Sequence, residues 1–127
     1  MKRIFVLLLT MLSLLACQPS IAAGEKFDAA QFEAQLSSGK PVLVVSHAPW
    51  CPTCRAQSAV LNDLYANDTY KDIAYFVIDY DSQKEALKKF NMSRQSTLVV
   101  FKEGKEVARS IGATSSSAIE SLLNKGL

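Results

Sequence analysis

The sequence has almost no excess of charge of either sign. Its 127 residues include 14 basic and 12 acidic side chains, which gives a formal net charge of +2. Removing Lys2 and Arg3 at the N-terminus from the 14 leaves 12 basic side chains against 12 acidic ones. Nucleic-acid-binding proteins usually carry a basic surface. We therefore set that class of function aside.

The sequence also lacks repeats, internal linkers and low-complexity segments. Its composition, 49% hydrophobic and 20% charged, is that of an ordinary globular chain. A length of 127 residues suffices for one domain and a short extension. We predict an extension at 1–23 and one domain at 24–127, with a short tether over 18–26.

Cysteine is scarce, and its count is odd. The chain holds three cysteines, of which Cys51 and Cys54 are separated by two residues. Cys17 is left over in the N-terminal extension. An unpaired cysteine in an exported protein needs an explanation of its own.

Residues 1–23 have the pattern of a bacterial export signal. A charged Lys2-Arg3 pair precedes an apolar run from Ile4 to Leu15. That run is shorter than the roughly 20 apolar residues that span a bilayer as a helix, so an uncleaved anchor is disfavoured. The segment predicts a protein that acts outside the cytoplasm, where a disulfide persists.

Two cleavage sites fit this signal. Leu14-Leu15-Ala16-Cys17 resembles the lipobox of lipoproteins, in which the cysteine carries a lipid and becomes the N-terminus. The alternative is cleavage near Ala22-Ala23, which would release a soluble periplasmic protein. We favour the lipobox because it accounts for Cys17. The protein would then be membrane-anchored through the lipid alone, with Gln18 weakly favouring the outer membrane.

Hydrophobic periodicity predicts alternating helices and strands after residue 26. Asp28 caps a first helix that Gly39 ends, and a capping box from Ser82 to Glu85 starts a later one. The remaining predicted elements are strand 42–46, helix 52–66, strands 73–79, 97–101 and 106–111, and a last helix capped by Ser115 or Ser117. This order predicts an α/β fold with a mixed central sheet and helices on both faces.

Trp50-Cys51-Pro52-Thr53-Cys54 lies where a predicted strand meets a predicted helix. Unpaired N–H groups and the helix macrodipole at this junction favour a thiolate at Cys51, which we expect to be exposed. Pro52 suits the first helical turn. Cys54, on the next turn, could attack a mixed disulfide formed at Cys51. The pattern therefore predicts dithiol–disulfide exchange.

Other interpretations of the cysteine pair stay open. A structural disulfide between cysteines three positions apart would stabilise little, because it closes a very short loop. Two thiolates and His47 could bind Cu(I) or Zn²⁺, in a redox-gated or metal-holding module without turnover. A lone histidine more often packs or hydrogen-bonds, so we assign no metal. Arg55 could favour the thiolate but is more often a solvated helix residue.

The element order and the W-C-x-x-C motif resemble the thioredoxin family. Further matching segments are Lys40 to Val45, Thr97 to Gly104, and Gly112-Ala113 before a serine-capped helix. The resemblance covers about residues 27–123 and implies the thioredoxin fold. It also implies thiol–disulfide oxidoreductase activity on protein thiols and disulfides, by a monomer with no cofactor. A reductant in an oxidising compartment would need electrons from a membrane partner.

The resemblance also assigns roles at the site. Cys51 would attack, Cys54 would resolve, and Trp50 would shield the pair. Gln95, Ser96 and Thr97 would belong to the loop that binds the substrate chain.

The sequence departs from the family pattern at three places. The dipeptide between the cysteines is Pro52-Thr53 and not Gly-Pro. Val45 replaces a buried acid that accepts the proton of the resolving thiol, so water or another group must take that role. Ser96 replaces a cis-proline. A cis bond before a non-proline residue costs about 2.5–4 kcal/mol. We therefore expect a trans Gln95–Ser96 bond in a rebuilt loop.

Overall fold

The computed structural model describes residues 24–127, which form a five-stranded sheet and four helices. The elements are β1 (Glu25–Lys26), α1 (Ala29–Ser37), β2 (Val42–His47), α2 (Pro52–Tyr65), β3 (Ala74–Asp79), α3 (Lys84–Lys89), β4 (Thr97–Lys102), β5 (Lys105–Ile111) and α4 (Ser116–Asn124). The strand order is β1-β3-β2-β4-β5. Strand β3 pairs parallel with β1 and β2, and β4 pairs antiparallel with β2 and β5. The predicted mixed sheet is confirmed.

Strand β2 is central and covered on both faces. Its residues Val42, Leu43, Val44 and Val45 are each at most 3% exposed. Because successive side chains of a strand point to opposite faces of the sheet, these four residues pack in two separate cores. Leu43 and Val45 pack among residues of α2 and α4, while Val42 and Val44 pack among those of α1 and α3. An aromatic cluster fills the second core, formed by Phe27, Phe32, Phe76, Phe90 and Phe101. The two cores fix the end of β2 at the sheet centre.

Two predicted helix caps are confirmed. The carboxylate of Asp28 accepts a hydrogen bond from the backbone N–H of Gln31 at 2.9 Å. At α4, the hydroxyl oxygen of Ser115 accepts one from the N–H of Ala118 at 3.3 Å. Each bond satisfies an N–H that the first helical turn leaves unpaired.

The predicted capping box at α3 is wrong. The helix starts after Gln83, which makes no side-chain capping bond. Its amide nitrogen donates to the carbonyl oxygen of Phe27 at 3.0 Å, and its amide oxygen accepts from the N–H of Asp79 at 2.9 Å. Ser82 lies in a turn in which its N–H meets the Asp79 carboxylate at 3.4 Å. The Gln83 side chain is therefore bound to Asp79 of β3 and to Phe27, which precedes α1, and does not cap α3.

The predicted tether over 18–26 is also wrong at its last residues. Glu25 and Lys26 form β1, in register with Phe76 and Val77 of β3. Both side chains are exposed, so no hydrophobic pattern marks this strand. The predicted export signal and Cys17 lie in residues 1–23, outside the described part of the chain. Within residues 24–127, no helix is long and apolar enough to cross a membrane.

Candidate active site

Cys51 is the N-cap residue of α2. Its backbone is extended, with φ −86° and ψ 114°, and Pro52 begins the helix. The N–H of Cys54 donates a hydrogen bond to Cys51 Sγ at 3.2 Å. The sulfur therefore takes the position of a capping oxygen, where an unpaired N–H and the positive end of the helix dipole favour negative charge. The predicted location of Cys51 is confirmed.

Both cysteines are free thiols and both are buried. Cys51 is 3% exposed and Cys54 is 1% exposed. They pack with Ala48 and with the partly buried ring of Tyr80. The prediction that Cys51 would be exposed is wrong, because these groups and the loop that carries Ser96 cover it. The two thiols therefore differ little in solvent exposure, so a difference in reactivity must come from a difference in pKa.

The two thiols have opposite pKa shifts. Burial raises the pKa of Cys51, but hydrogen bonds from Cys54, Ser96 and the backbone outweigh it, so the net pKa is lowered. Burial raises the pKa of Cys54, and its hydrogen bond to Cys51 raises it further. A thiolate at Cys51 beside a thiol at Cys54 is the arrangement that thiol–disulfide exchange requires.

The loop before β4 faces the two sulfurs. No peptide bond within residues 24–127 is cis, so the Gln95–Ser96 bond is trans, as we expected. Ser96 has a φ of 62°, in the left-handed region. Its N–H donates to the carbonyl oxygen of Ser46 at 2.9 Å, and its carbonyl oxygen accepts from the N–H of Gly112 at 2.9 Å. The loop is rebuilt around an unusual backbone conformation that its neighbours hold.

The side chain of Ser96 contacts both reactive sulfurs. Its hydroxyl oxygen lies 3.3 Å from Cys51 Sγ and 3.0 Å from Cys54 Sγ, and the residue is 4% exposed. On β2, Val45 packs in the apolar core, so this position offers no acid to the sulfurs. Ser96 is thus a polar group in direct contact with the pair.

Gln57 is a site residue that the sequence analysis missed. It is 1% exposed, and its amide nitrogen donates to the carbonyl oxygens of Ser96 at 3.0 Å and Ala113 at 2.8 Å. One side chain therefore ties together two loops beside the cysteines. A signal existed, because Gln57 falls on the buried stripe of α2 formed by Cys54, Leu61 and Leu64.

The other predicted substrate-binding residues differ in exposure. Trp50 is 56% exposed, and its indole N–H donates to the carboxylate of Asp81 at 2.9 Å. Gln95 is half-buried. Thr97 is 1% exposed, its hydroxyl donates to the carbonyl oxygen of Arg94 at 2.8 Å, and its N–H is bound by Ser46. The Thr97 side chain therefore serves the loop.

His47 and Arg55 have structural partners. His47 Nδ1 lies 3.5 Å from the hydroxyl of Ser58, and Arg55 donates to the carbonyl oxygen of Pro49 at 3.1 Å. Across residues 24–127, no group of three histidine, cysteine or acidic side chains is placed to hold a metal ion. The three-ligand site that His47 could have completed with the two cysteines is not formed.

The cysteine pair lies at the N-terminus of the helix that follows a central strand, and the pKa of Cys51 is lowered while that of Cys54 is raised. This arrangement defines a dithiol–disulfide exchange protein. The family model described as Thioredoxin matches residues 24–125. The chain belongs to the thioredoxin family and is a thiol–disulfide oxidoreductase, as the sequence predicted.

Named relatives and solved structures agree with this assignment. Thioredoxin from Mycobacterium tuberculosis is 36% identical over 84 residues, which cover 66% of this chain and 72% of the relative. Thioredoxin from Porphyra purpurea is 35% identical over 98 residues, which cover 77% and 91%. The crystal structure of Trxlp from Edwardsiella tarda matches with a TM-score of 0.77 and 42% identity, covering 80% of this chain and 98% of that one.

We predict that alkylation will label Cys51 well before Cys54. Since the pKa of Cys51 is lowered and that of Cys54 is raised, the thiolate fraction at mildly acidic pH is larger at Cys51 than at Cys54. The measurement is iodoacetamide labelling of the reduced protein, followed by peptide mass spectrometry across a pH series. Equal rates at the two sites, or faster labelling of Cys54, would reverse the assigned roles.

We predict that Ser96→Pro destabilises the protein by about 3 kcal/mol. Proline fixes φ near −65° and has no N–H, whereas Ser96 has a φ of 62° and donates to Ser46. Urea unfolding measures the change. Ser96→Gly is the matched control, because glycine adopts positive φ and keeps the N–H. Unchanged stability of Ser96→Pro would show that the loop accepts proline.

Proposed function

We propose that this protein is exported and exchanges disulfides with protein substrates outside the cytoplasm. The observation that carries the exchange reaction is the asymmetric pair: Cys51 Sγ caps α2 and accepts from the N–H of Cys54, so a thiolate is favoured at Cys51 and a thiol at Cys54. The Cys51 thiolate attacks a substrate disulfide and forms a mixed disulfide. Cys54 then attacks Cys51 Sγ, which releases the reduced substrate and leaves the Cys51–Cys54 disulfide. The reverse sequence donates a disulfide.

An apolar surface beside the cysteines supports protein substrates. Trp50 and Ile111 are both 56% exposed. Ile111 pairs with Thr97 in the sheet, and the next residue, Gly112, donates to the carbonyl oxygen of Ser96. Exposed large apolar side chains that flank a reactive group favour contact with another protein. The backbone of Gln95, at the same edge, would bind the substrate chain.

The location of the protein is part of the proposal. It rests on the export signal at 1–23 and on the lipobox-like residues that end at Cys17. A lipid at Cys17 would anchor a monomeric domain on the periplasmic side of the envelope, with the outer membrane weakly favoured. If the protein acts as a reductant there, a membrane electron donor must keep the pair reduced, because the compartment is oxidising.

The direction of exchange depends on the reduction potential of the pair. Related dithiol proteins span roughly 150 mV, which is about 7 kcal/mol for two electrons. Equilibration of Cys51 and Cys54 with glutathione buffers of known potential measures the value. A potential as low as that of thioredoxin indicates a reductase, and a potential close to that of DsbA indicates an oxidase.

We predict that Cys54→Ser accumulates a mixed disulfide with a protein substrate. The variant keeps the attacking thiolate at Cys51 but lacks the thiol that resolves the intermediate, so multiple turnover falls by at least about a hundredfold. Turnover is followed as reduction of a protein disulfide with dithiothreitol as the electron source. The adduct is detected by mass spectrometry in a separate mixture of the reduced variant and the protein disulfide, from which dithiothreitol has been removed.

His47→Ala is the control for this experiment, and it should turn over like the unaltered protein. Absence of turnover by the unaltered protein would support a binding module without catalysis. An equal loss of activity in His47→Ala would show that the assay does not report the loss of the resolving thiol specifically.

We predict that the mature N-terminus is a lipid-modified Cys17. The reason is the match of Leu14 to Cys17 to the lipobox, together with the odd cysteine count. Mass spectrometry of the protein purified from the membranes of a bacterial host measures it, and Cys17→Ala is the control that should lose the lipid. An unmodified N-terminus at Ala23 or Gly24 would indicate a soluble periplasmic protein.

A further inference from the structure

The resolving thiol needs a group that takes its proton, and the apolar Val45 supplies none. Cys54 is 1% exposed, so bulk water has little access to it. Within the described residues, the side-chain oxygen within hydrogen-bond distance of Cys54 Sγ is that of the Ser96 hydroxyl, at 3.0 Å. A hydroxyl can both accept and donate a proton.

We propose that the Ser96 hydroxyl is a catalytic proton carrier between the two sulfur positions. Its oxygen lies 3.0 Å from Cys54 Sγ and 3.3 Å from Cys51 Sγ, so one atom contacts both reacting groups. In the mixed disulfide Cys51 is no longer a thiolate that accepts from Cys54, so the thiol of Cys54 is free to donate to the Ser96 oxygen, and the Ser96 hydroxyl faces Cys51 Sγ. The inference rests on the exchange cycle described above.

The carrier acts in the second step of that cycle. Cys54 Sγ attacks Cys51 Sγ in the mixed disulfide, and the Cys51–Cys54 bond forms as the bond from Cys51 to the substrate sulfur breaks. The departing substrate sulfur takes the electron pair. The proton of Cys54 moves to the Ser96 oxygen while the hydroxyl proton of Ser96 moves to the departing sulfur. The cysteine pair is oxidised by two electrons, the substrate disulfide is reduced, and Ser96 is regenerated.

The loop holds this hydroxyl in place with Ser96 in an unfavourable backbone conformation. A φ of 62° is uncommon for a residue other than glycine and persists where the surroundings impose it. Three hydrogen bonds impose this conformation. The Ser96 N–H donates to the carbonyl oxygen of Ser46, and the Ser96 carbonyl oxygen accepts from Gln57 and from the N–H of Gly112. Gln57 is therefore a positioning residue for the carrier. A proline at position 96 would have no hydroxyl.

Two substitutions separate the hydroxyl from the backbone conformation. Ser96→Gly removes the hydroxyl and suits a positive φ, so the variant should be at least as stable as the unaltered protein. Ser96→Thr keeps the hydroxyl but places a β-branched residue at a positive φ, so it should be less stable. If the hydroxyl carries the proton, resolution should be slow in the variant that lacks the hydroxyl and fast in the variant that keeps it, whatever their stabilities.

The experiment mixes the reduced, processed protein with an aromatic disulfide that yields a coloured thiol. The first equivalent of coloured thiol reports attack by Cys51, and the second reports resolution by Cys54. We expect Ser96→Gly to slow the second phase by at least about tenfold at neutral pH. Raising the pH should restore its rate, because Cys54 then ionises without a carrier. Ser96→Thr should retain a second phase within about threefold of the unaltered rate.

The possible results distinguish a proton-carrying hydroxyl from a purely structural role of Ser96. An unchanged second phase in Ser96→Gly would overturn the proposal. A slow second phase that high pH does not restore would also overturn it, since that result indicates a change of loop geometry. If Ser96→Thr does not fold, the pH profile of Ser96→Gly decides alone. Release of only one equivalent by the unaltered protein would instead contradict the exchange function.

Discussion

The hydrogen bond from the Cys54 N–H to Cys51 Sγ is the interaction on which the site depends. It exists because Cys51 ends an extended segment and Pro52 starts α2, which leaves the first N–H groups of the helix without intrahelical partners. The two cores on either side of β2 fix the direction in which that segment leaves the sheet. Burial alone would raise the pKa of Cys51, so the thiolate depends on hydrogen bonds from the Cys54 side chain and from Ser96, together with this backbone bond.

The loop before β4 completes the site from the opposite side. In place of a proline ring it presents a hydroxyl to both sulfurs, and Gln57 and Ser46 hold its backbone. Ser46, Gln57 and Ser96 are each at most 4% exposed, and each side chain makes at least one hydrogen bond within the protein. Hydrogen bonds between buried polar groups favour one conformation of the surrounding loops over others. The active site of this protein therefore combines a buried cysteine pair with a network of buried polar side chains.

Most of the fold could be predicted from local patterns, because buried strands, caps and the C-x-x-C junction leave signals in neighbouring residues. The trans bond at Ser96 followed from the energetic cost of the alternative. Strand β1 could not be predicted, because its two exposed residues join the sheet only through backbone pairing with β3. The contacts of Ser96 with both sulfurs, and the packing of Tyr80 on them, join segments more than 20 residues apart in the sequence. No local pattern carries such information.

Trp50 is the single tryptophan of the chain, and it lies next to Cys51. Its ring is half open to solvent, and its indole N–H is held by Asp81. All indole fluorescence of the protein therefore originates one residue from the reacting sulfur, in a ring whose orientation is fixed by a hydrogen bond. Thiolates and disulfides quench indole emission to different extents. The protein thus contains a built-in optical reporter, with which the oxidation state of its cysteine pair can be followed without a label.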